Sequence, residues 1–410
     1  MKGFGGCLAL GILAASTLPG PSVTPGLDVL REGGSLLAGK RVGLLTNHTG
    51  VALDGTPAVQ VLQEDLGLSV VALFAPEHGY RGDVAAGESV ASRRADAKAP
   101  PVLSLYGETR QPTDDMLSGI DVLVFDIQDV GVRFYTYIST MKLAMEAAAR
   151  NNIEFVVLDR PNPNGGERVE GPILDPEFRS FVGISEIPLL HGMTVGELAN
   201  LFKRTMPGGD VLRLSVVPVR GWKREMLWSD TGLPWRPPSP NLRTATSALA
   251  YPAFGLLEGI NVSEGRGVEE TFERIGAPWI DRVLLSESMG GRRLRGVRFE
   301  ATSFVPRDLP ASPKPKYRDE PCHGVKLRID EPRDFEAVRT GLSAIATIRK
   351  LFPHSFSWVR RGDRYWVDLL LGTDRPRRAI EAGVGVDEIV SREQPGVEAF
   401  RRLRAACLLY

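Results

Sequence analysis

Cysteine and histidine are scarce in this chain, and neither sign of charge is in excess. Three cysteines stand among 410 residues, at positions 7, 322 and 407, too few for a disulfide framework. Lys plus Arg number 50, as do Asp plus Glu. That balance removes any global electrostatic case for a nucleic-acid or anionic-membrane partner. Beyond the N-terminus no apolar run is long enough to span a bilayer as a helix. None of the five histidines falls in a His-x-x-x-His pattern, so local spacing supports no metal site, and no cofactor is expected. The dinucleotide fingerprint G-x-G-x-x-G is missing after the first predicted strand. Gly34–Arg41 approaches the phosphate loop G-x-x-x-x-G-K-[S/T], but Arg41 replaces the hydroxyl and the segment precedes a strand.

What is present is the composition of a soluble globular protein, 43% hydrophobic and 24% charged. The length argues for two domains. Lys2, the apolar stretch Cys7–Leu18 and the small residues Ala14-Ala15-Ser16 predict a secretory signal peptide over 1–22, hence an exported protein, periplasmic or extracellular. Cys7 opens the apolar run, which argues against a lipoprotein cleavage site there. The mature chain would keep Cys322 and Cys407, enough for one disulfide at most.

From Gly39 onward short Val-, Leu- and Phe-rich runs predict buried strands at Arg41–Thr46, Leu68–Phe74, Pro101–Leu105, Asp121–Phe125, Ile153–Leu158 and Arg213–Val217. Segments with helical spacing, such as Val59–Leu66 and Met141–Arg150, lie between them. This alternation predicts an α/β fold with a Rossmann-like parallel sheet. Its strands end in polar residues: Asn47 and His48, Glu77 and His78, Asp126 with Gln128 and Asp129, Asp159 and Arg160. In such sheets ligands bind beyond the carboxyl ends of the strands, so these side chains, with Arg81 and Asn164 in the loops that follow, are candidates for a common site. The run Val70–Gly82 is its centre, because Pro76 and Gly79 bracket a carboxylate and an imidazole at the end of a strand.

Further along, Glu170 stands beside a Gly-Pro turn, and Thr194 with Glu197 reads as a capping box that puts His191 at the mouth of a helix. Four prolines between Pro234 and Asn241 predict a stiff connection. The chain is accordingly divided into a Rossmann-like domain, 23–245, and a smaller α/β domain, 246–410. In the second, Glu264 and Arg266 lie between glycines, strands are expected near Val297–Ala301 and Val325–Ile329, and a helix near Phe335–Leu351. Arg377 to Arg404 reads as helical, broken near Pro395.

Several strings, in this order, resemble the NamZ-type exo-β-N-acetylmuramidases, a bacterial family formerly called DUF1343. They include Gly39–Gly50, Ala75-Pro-Glu-His-Gly79, Ser104–Gly107, Asp121–Thr140, Leu158–Gly166, Val169–Pro172, His191–Thr194 and Ser263–Gly267. Tyr80 and Val268-Glu-Glu depart from the pattern. The resemblance implies a two-domain hydrolase, its catalytic Rossmann-like domain 23–245 and the smaller C-terminal domain forming a cleft, that releases N-acetylmuramic acid from the non-reducing end of peptidoglycan fragments, without metal or nucleotide.

Glycosidases generally place two carboxyl groups about the scissile bond, roughly 5 Å apart for retention or 6.5–9.5 Å for inversion. Glu77 is the first choice for general acid. Glu170, then Asp126, are candidates for the second carboxylate. His78, His191 and Arg133 are read as substrate contacts or pKa tuners, Tyr135 and Tyr137 as stacking surfaces, and Arg160 or Arg266 as the partner of the lactyl carboxylate. Catalysis assisted by the substrate's N-acetyl group stays open. Two other readings remain: a metal-dependent hydrolase built on His48, His78, His191, Asp126 and Asp159, and a non-catalytic peptidoglycan-binding protein.

Overall fold

The computed structural model describes residues 23–94 and 99–410; the expected leader and Cys7 lie outside them. Strands β1 (Arg41–Thr46), β2 (Ser69–Ala75), β3 (Val102–Ser104), β4 (Val122–Asp126) and β5 (Glu154–Leu158) follow one another, with a helix in each connection except that from β2 to β3, which has none among the described residues. A short antiparallel pair, β6 (Glu170–Ile173) and β7 (Pro188–Leu190), precedes β8 (Leu214–Val217). β8 completes a six-stranded sheet of order β3-β2-β1-β4-β5-β8, in which every pairing is parallel. The expected strands are all present, with ends shifted by a residue.

Each strand feeds two layers, since successive side chains point to opposite faces. Val122 and Val124 join a core with Leu27, Leu44 and Val156; Leu123 and Phe125 join another with Phe155, Met141 and Leu198. That is why these runs are apolar throughout instead of alternating. Helix Gly26–Gly33 covers the first face, and helices Tyr137–Arg150 and Val195–Thr205 the second. The capping box forms as read: Thr194 Oγ1 accepts from the Glu197 amide at 3.2 Å, and Glu197 Oε2 from the Thr194 amide at 3.1 Å. The segment Val59–Leu66 is only partly α-helical. From Val61 it widens to a π turn, with the Leu66 amide donating to the Val61 carbonyl.

The second unit carries an antiparallel sheet of β9 (Arg274–Ala277), β10 (Val297–Phe304) and β11 (Cys322–Ile329), ordered β10-β11-β9. Helix Ala337–Leu351 contributes Leu342, Ile345 and Ile348 to the same continuous core that backs the parallel sheet. The two units therefore share a hydrophobic interior. Pro395 does not break the last helix, Val386–Ala405, but lies inside it. The helical run is interrupted earlier, at Gly383, whose φ is +79°. Pro395 is tolerated there because the carbonyl it leaves unbonded, that of Ser391, belongs to an exposed residue. Cys322 and Cys407 are both buried and both free. The Pro-rich connection is bound down: His48 Nε2 donates to the Pro237 carbonyl at 2.7 Å and the Tyr137 hydroxyl to that of Pro238 at 2.5 Å.

Candidate active site

Where the carboxyl end of β2 meets the second unit there is a cavity of about 500 Å³. Glu77 enters it from the sheet side. His78 and Gly79 take φ of +70° and +75°, so the chain reverses immediately after β2 and turns the Glu77 side chain back over the sheet edge. Only glycine adopts this region freely; the imidazole at 78 is held there by Nδ1, which donates to the Val84 carbonyl at 2.8 Å. Both oxygens of Glu77 are held. Oε1 accepts from the Gly87 amide at 2.8 Å and Oε2 from the Thr136 hydroxyl at 2.5 Å. The residue is 8% exposed. Burial lowers the pKa of His78, against the pull of Glu77, so the ring is neutral at pH 7 and Nε2 is its acceptor.

The opposite wall comes from the second unit. Arg266 lies between two carboxylates, its Nη2 2.7 Å from Glu258 Oε1 and its Nε 3.1 Å from Glu264 Oε1. Lys316 Nζ is 3.1 Å from Glu264 Oε2. Its protons are aimed at the carbonyls of Leu257, Ile260 and Val262, which leaves Oε2 in an ion pair without a hydrogen bond. Trp366 Nε1 donates to Glu258 Oε2 at 3.3 Å. Burial alone would raise the Glu258 pKa, but Arg266, Lys316 and Trp366 together outweigh it and the net shift is downward; Glu258 is ionised at neutral pH. Aromatic side chains line the remaining surface, among them Tyr106, Phe134, Tyr135, Tyr251 and Trp366.

Of the residues expected from sequence, Glu77, His78, Tyr135, Glu264 and Arg266 line this cavity. Others reach the sheet edge but spend their polar atoms on one another. Asp126, fully buried, is bound by Arg160 Nε at 2.6 Å and Nη2 at 3.0 Å. Asp159 accepts from the Thr194 and Tyr410 hydroxyls at 2.7 and 2.6 Å, and burial pushes its pKa up to about 6. Asn47 donates to the Tyr137 hydroxyl, Gln128 to the Asp129 and Pro161 carbonyls, and Asn164 to those of Val130 and Ala248. Tyr137 is buried in the core and offers no stacking surface. Arg81 points outward from the turn and is exposed.

Three expectations need correction of place. Arg133 is completely buried and donates to the carbonyls of Pro172, Ile187 and Leu370; it ties the two units together and does not meet the cavity. His191 is completely buried, and burial, aided by Arg404 and Arg133, pushes its pKa down to about 3. Glu170 opens strand β6, where Oε1 accepts from Arg168 and Oε2 from the Val338 amide; it lines a separate small crevice. The histidines and aspartates proposed for a metal are likewise dispersed. Among the described residues no group of three or more His, Cys, Asp or Glu is arranged to hold a metal ion. Sequence reasoning passed over Thr136, Arg110, Glu258, Lys316 and Trp366. Thr136 belongs to the long string Asp121–Thr140 quoted above, which was the available signal; the other four had none.

A buried carboxyl, fastened at both oxygens in a polar cavity rimmed with aromatic rings, is the equipment of a glycoside hydrolase, and the two-unit α/β fold supplies the cleft. Comparison with known proteins narrows the class. Residues 42–246 match the family described as exo-β-N-acetylmuramidase NamZ, N-terminal, and residues 249–410 its C-terminal counterpart. The peptidoglycan β-N-acetylmuramidase NamZ of Bacillus subtilis (strain 168) is 47% identical over 392 residues, 95% of this chain and 92% of that protein. A crystal structure of a DUF1343 family protein from Bacteroides fragilis superposes with a TM-score of 0.86 at 36% identity, covering 96% of this chain and 100% of that one. A second from the same organism gives 0.76 at 33% identity, covering 95% and 99%. The chain belongs to the NamZ exo-β-N-acetylmuramidase family.

Proposed function

We propose that this protein removes N-acetylmuramic acid from the non-reducing end of peptidoglycan fragments, with Glu77 as general acid toward the departing glycosidic oxygen. The observation that carries this reading is the position of Glu77. It is the one carboxyl on the cavity wall, among the described residues, that is not tied to a cation; Glu258 and Glu264 both flank Arg266. Thr136 and the Gly87 amide hold the group in one orientation, so a sugar bound against the aromatic wall meets a fixed proton donor. With Asp126 and Glu170 outside the cavity, no second free carboxylate among the described residues is placed to attack. This favours participation by the substrate's own N-acetyl oxygen at the anomeric carbon, with Glu77 donating the proton and then activating water. The neutral His78 beside Glu77 adds a hydrogen-bond acceptor without adding charge. In this reading residues 23–245 form the catalytic unit and 246–410 close the cavity. The leader directs the chain out of the cytoplasm to its substrate, and recovery of a processed chain beginning near residue 23 outside the cytoplasm would support it.

The test is hydrolysis of a chromogenic β-N-acetylmuramide, with the β-N-acetylglucosaminide in parallel and Glu77→Gln beside the wild type. Cleavage of the muramide, reduced by about three orders of magnitude or more in the variant, is the expected result. Binding of a muramyl disaccharide without cleavage by the wild type would move the protein to a binding role.

A further inference from the structure

N-Acetylmuramic acid differs from N-acetylglucosamine by a lactyl ether that ends in a carboxylate. A site that selects it needs an uncommitted cation on the cavity wall. The two arginines expected for this role are both engaged. Arg160 is paired with Asp126 and does not line the cavity. Arg266 does, but Glu258 and Glu264 bracket it, so an arriving carboxylate would meet two others.

Arg110 is placed differently. Its guanidinium carbon lies 3.8 Å from the ring centroid of Tyr106 and 4.4 Å from that of Phe181. The rings are 5.7 Å apart and inclined at 56°, so they form a notch that holds the guanidinium while its N–H edge stays free. All three residues line the cavity, and among the described residues no carboxylate pairs with Arg110. Stacking orders the side chain without consuming its donors, and the planar fork matches a carboxylate bidentately. Tyr106 also borders the acid, since Glu77 and Arg110 stand with it on the wall of the same cavity. A sugar whose anomeric oxygen meets Glu77 can therefore present its O3 substituent toward Arg110.

We propose that Arg110 binds the lactyl carboxylate of the substrate and sets the preference for N-acetylmuramic acid over N-acetylglucosamine. The assignment rests on the muramidase reading above. Lys314 also lines the cavity, but as a single ammonium it lacks the planar fork; Arg361 is the rival guanidinium, because it too lines the cavity. It stacks on Trp366 at 3.5 Å, however, on the wall where Trp366 donates to the ionised Glu258, a neighbourhood that repels a second carboxylate.

The experiment compares a chromogenic β-N-acetylmuramide with its lactyl amide, which has nearly the same shape and no charge. Arg110→Met, Arg110→Lys and Arg361→Met are assayed with the wild type. For Arg110→Met, kcat/KM on the muramide is expected to fall about 30-fold, chiefly through KM, the effect of removing one partner of a charge-assisted pair. Turnover of the lactyl amide stays within about threefold, so discrimination between the two substrates collapses. Arg110→Lys recovers part of it, since the charge returns without the fork. Arg361→Met keeps the wild-type ratio. Equal losses on both substrates in Arg110→Met, an unchanged ratio, or loss of discrimination in Arg361→Met would each overturn the assignment. A wild type that cleaves neither substrate would remove the muramidase reading itself, and Arg110 with it; a wild type that cleaves the muramide while Arg110→Met discriminates as before would remove Arg110 alone.

Discussion

Replacing Arg266 with methionine strips the countercharge from two carboxylates in the cavity wall. Glu258 and Glu264 are 17% and 4% exposed, and Arg266 is 21% exposed between them. Removing one member of a buried pair costs roughly 3–5 kcal/mol, because the remaining charge is left uncompensated. The cavity admits solvent to one side and Lys316 still faces Glu264, so the lower end, about 3 kcal/mol at pH 7, is the expected loss. At about 2–4 °C per kcal/mol for a unit of this size, the melting temperature falls by roughly 6–12 °C. The pH dependence is the sharper test. In the wild type Arg266, with Lys316 and Trp366, overrides burial and lowers the Glu258 pKa. The stability this contributes is present above the unfolded carboxylate value and is lost as pH falls through the lower, folded one. In the variant only Lys316 and Trp366 still oppose burial, the largest influence, so the pKa rises above the unfolded value and stability falls as pH rises through that window. Melts followed by calorimetry from acid to neutral pH should show a gap between the two proteins that is widest at neutral pH and narrows toward about pH 4–5. The double variant Glu258→Gln/Arg266→Met should recover much of the loss, because the uncompensated charge is gone. A gap independent of pH, or a double variant as unstable as the single one, would refute the reasoning.

Thr136→Val deletes the hydroxyl that holds Glu77 Oε2 while keeping its shape; kcat should fall about 10- to 100-fold, the worth of a hydrogen bond to a charged group, with KM nearly unchanged, and an unaltered kcat would show that the bond does not position the acid. Glu170→Gln should retain turnover within about twofold in steady-state assays, since the side chain serves Arg168 and Val338 away from the cavity; a loss beyond about a hundredfold in a folded variant would return Glu170 to the chemistry. Hydrolysis in excess EDTA should match the untreated rate, and a loss restored by zinc or manganese would revive the metal-dependent alternative.

The amino-acid sequence by itself determined the layered α/β architecture, the reversal after β2 and the cap on helix Val195–Thr205. Each depends on residues a few positions apart: buried runs of strand length, Pro76 and Gly79 about the turn, Thr194 three residues before Glu197. Periodicity and dihedral preference act over that range. It also put Glu77 first among the carboxylates, because that residue alone follows a buried strand between Pro76 and the glycine turn. Tertiary structure decided which of the other polar residues are free. Asp126 is neutralised by Arg160, 34 positions away, and Asp159 is bound by Tyr410, 251 positions away. Glu258 and Arg266 reach the cavity only because the second unit packs its core against the parallel sheet. A buried charge or a stacked guanidinium is fixed by what lies within a few ångströms in space. Local sequence holds no record of that separation, and so which polar groups face the cavity uncommitted could be read only from the folded chain.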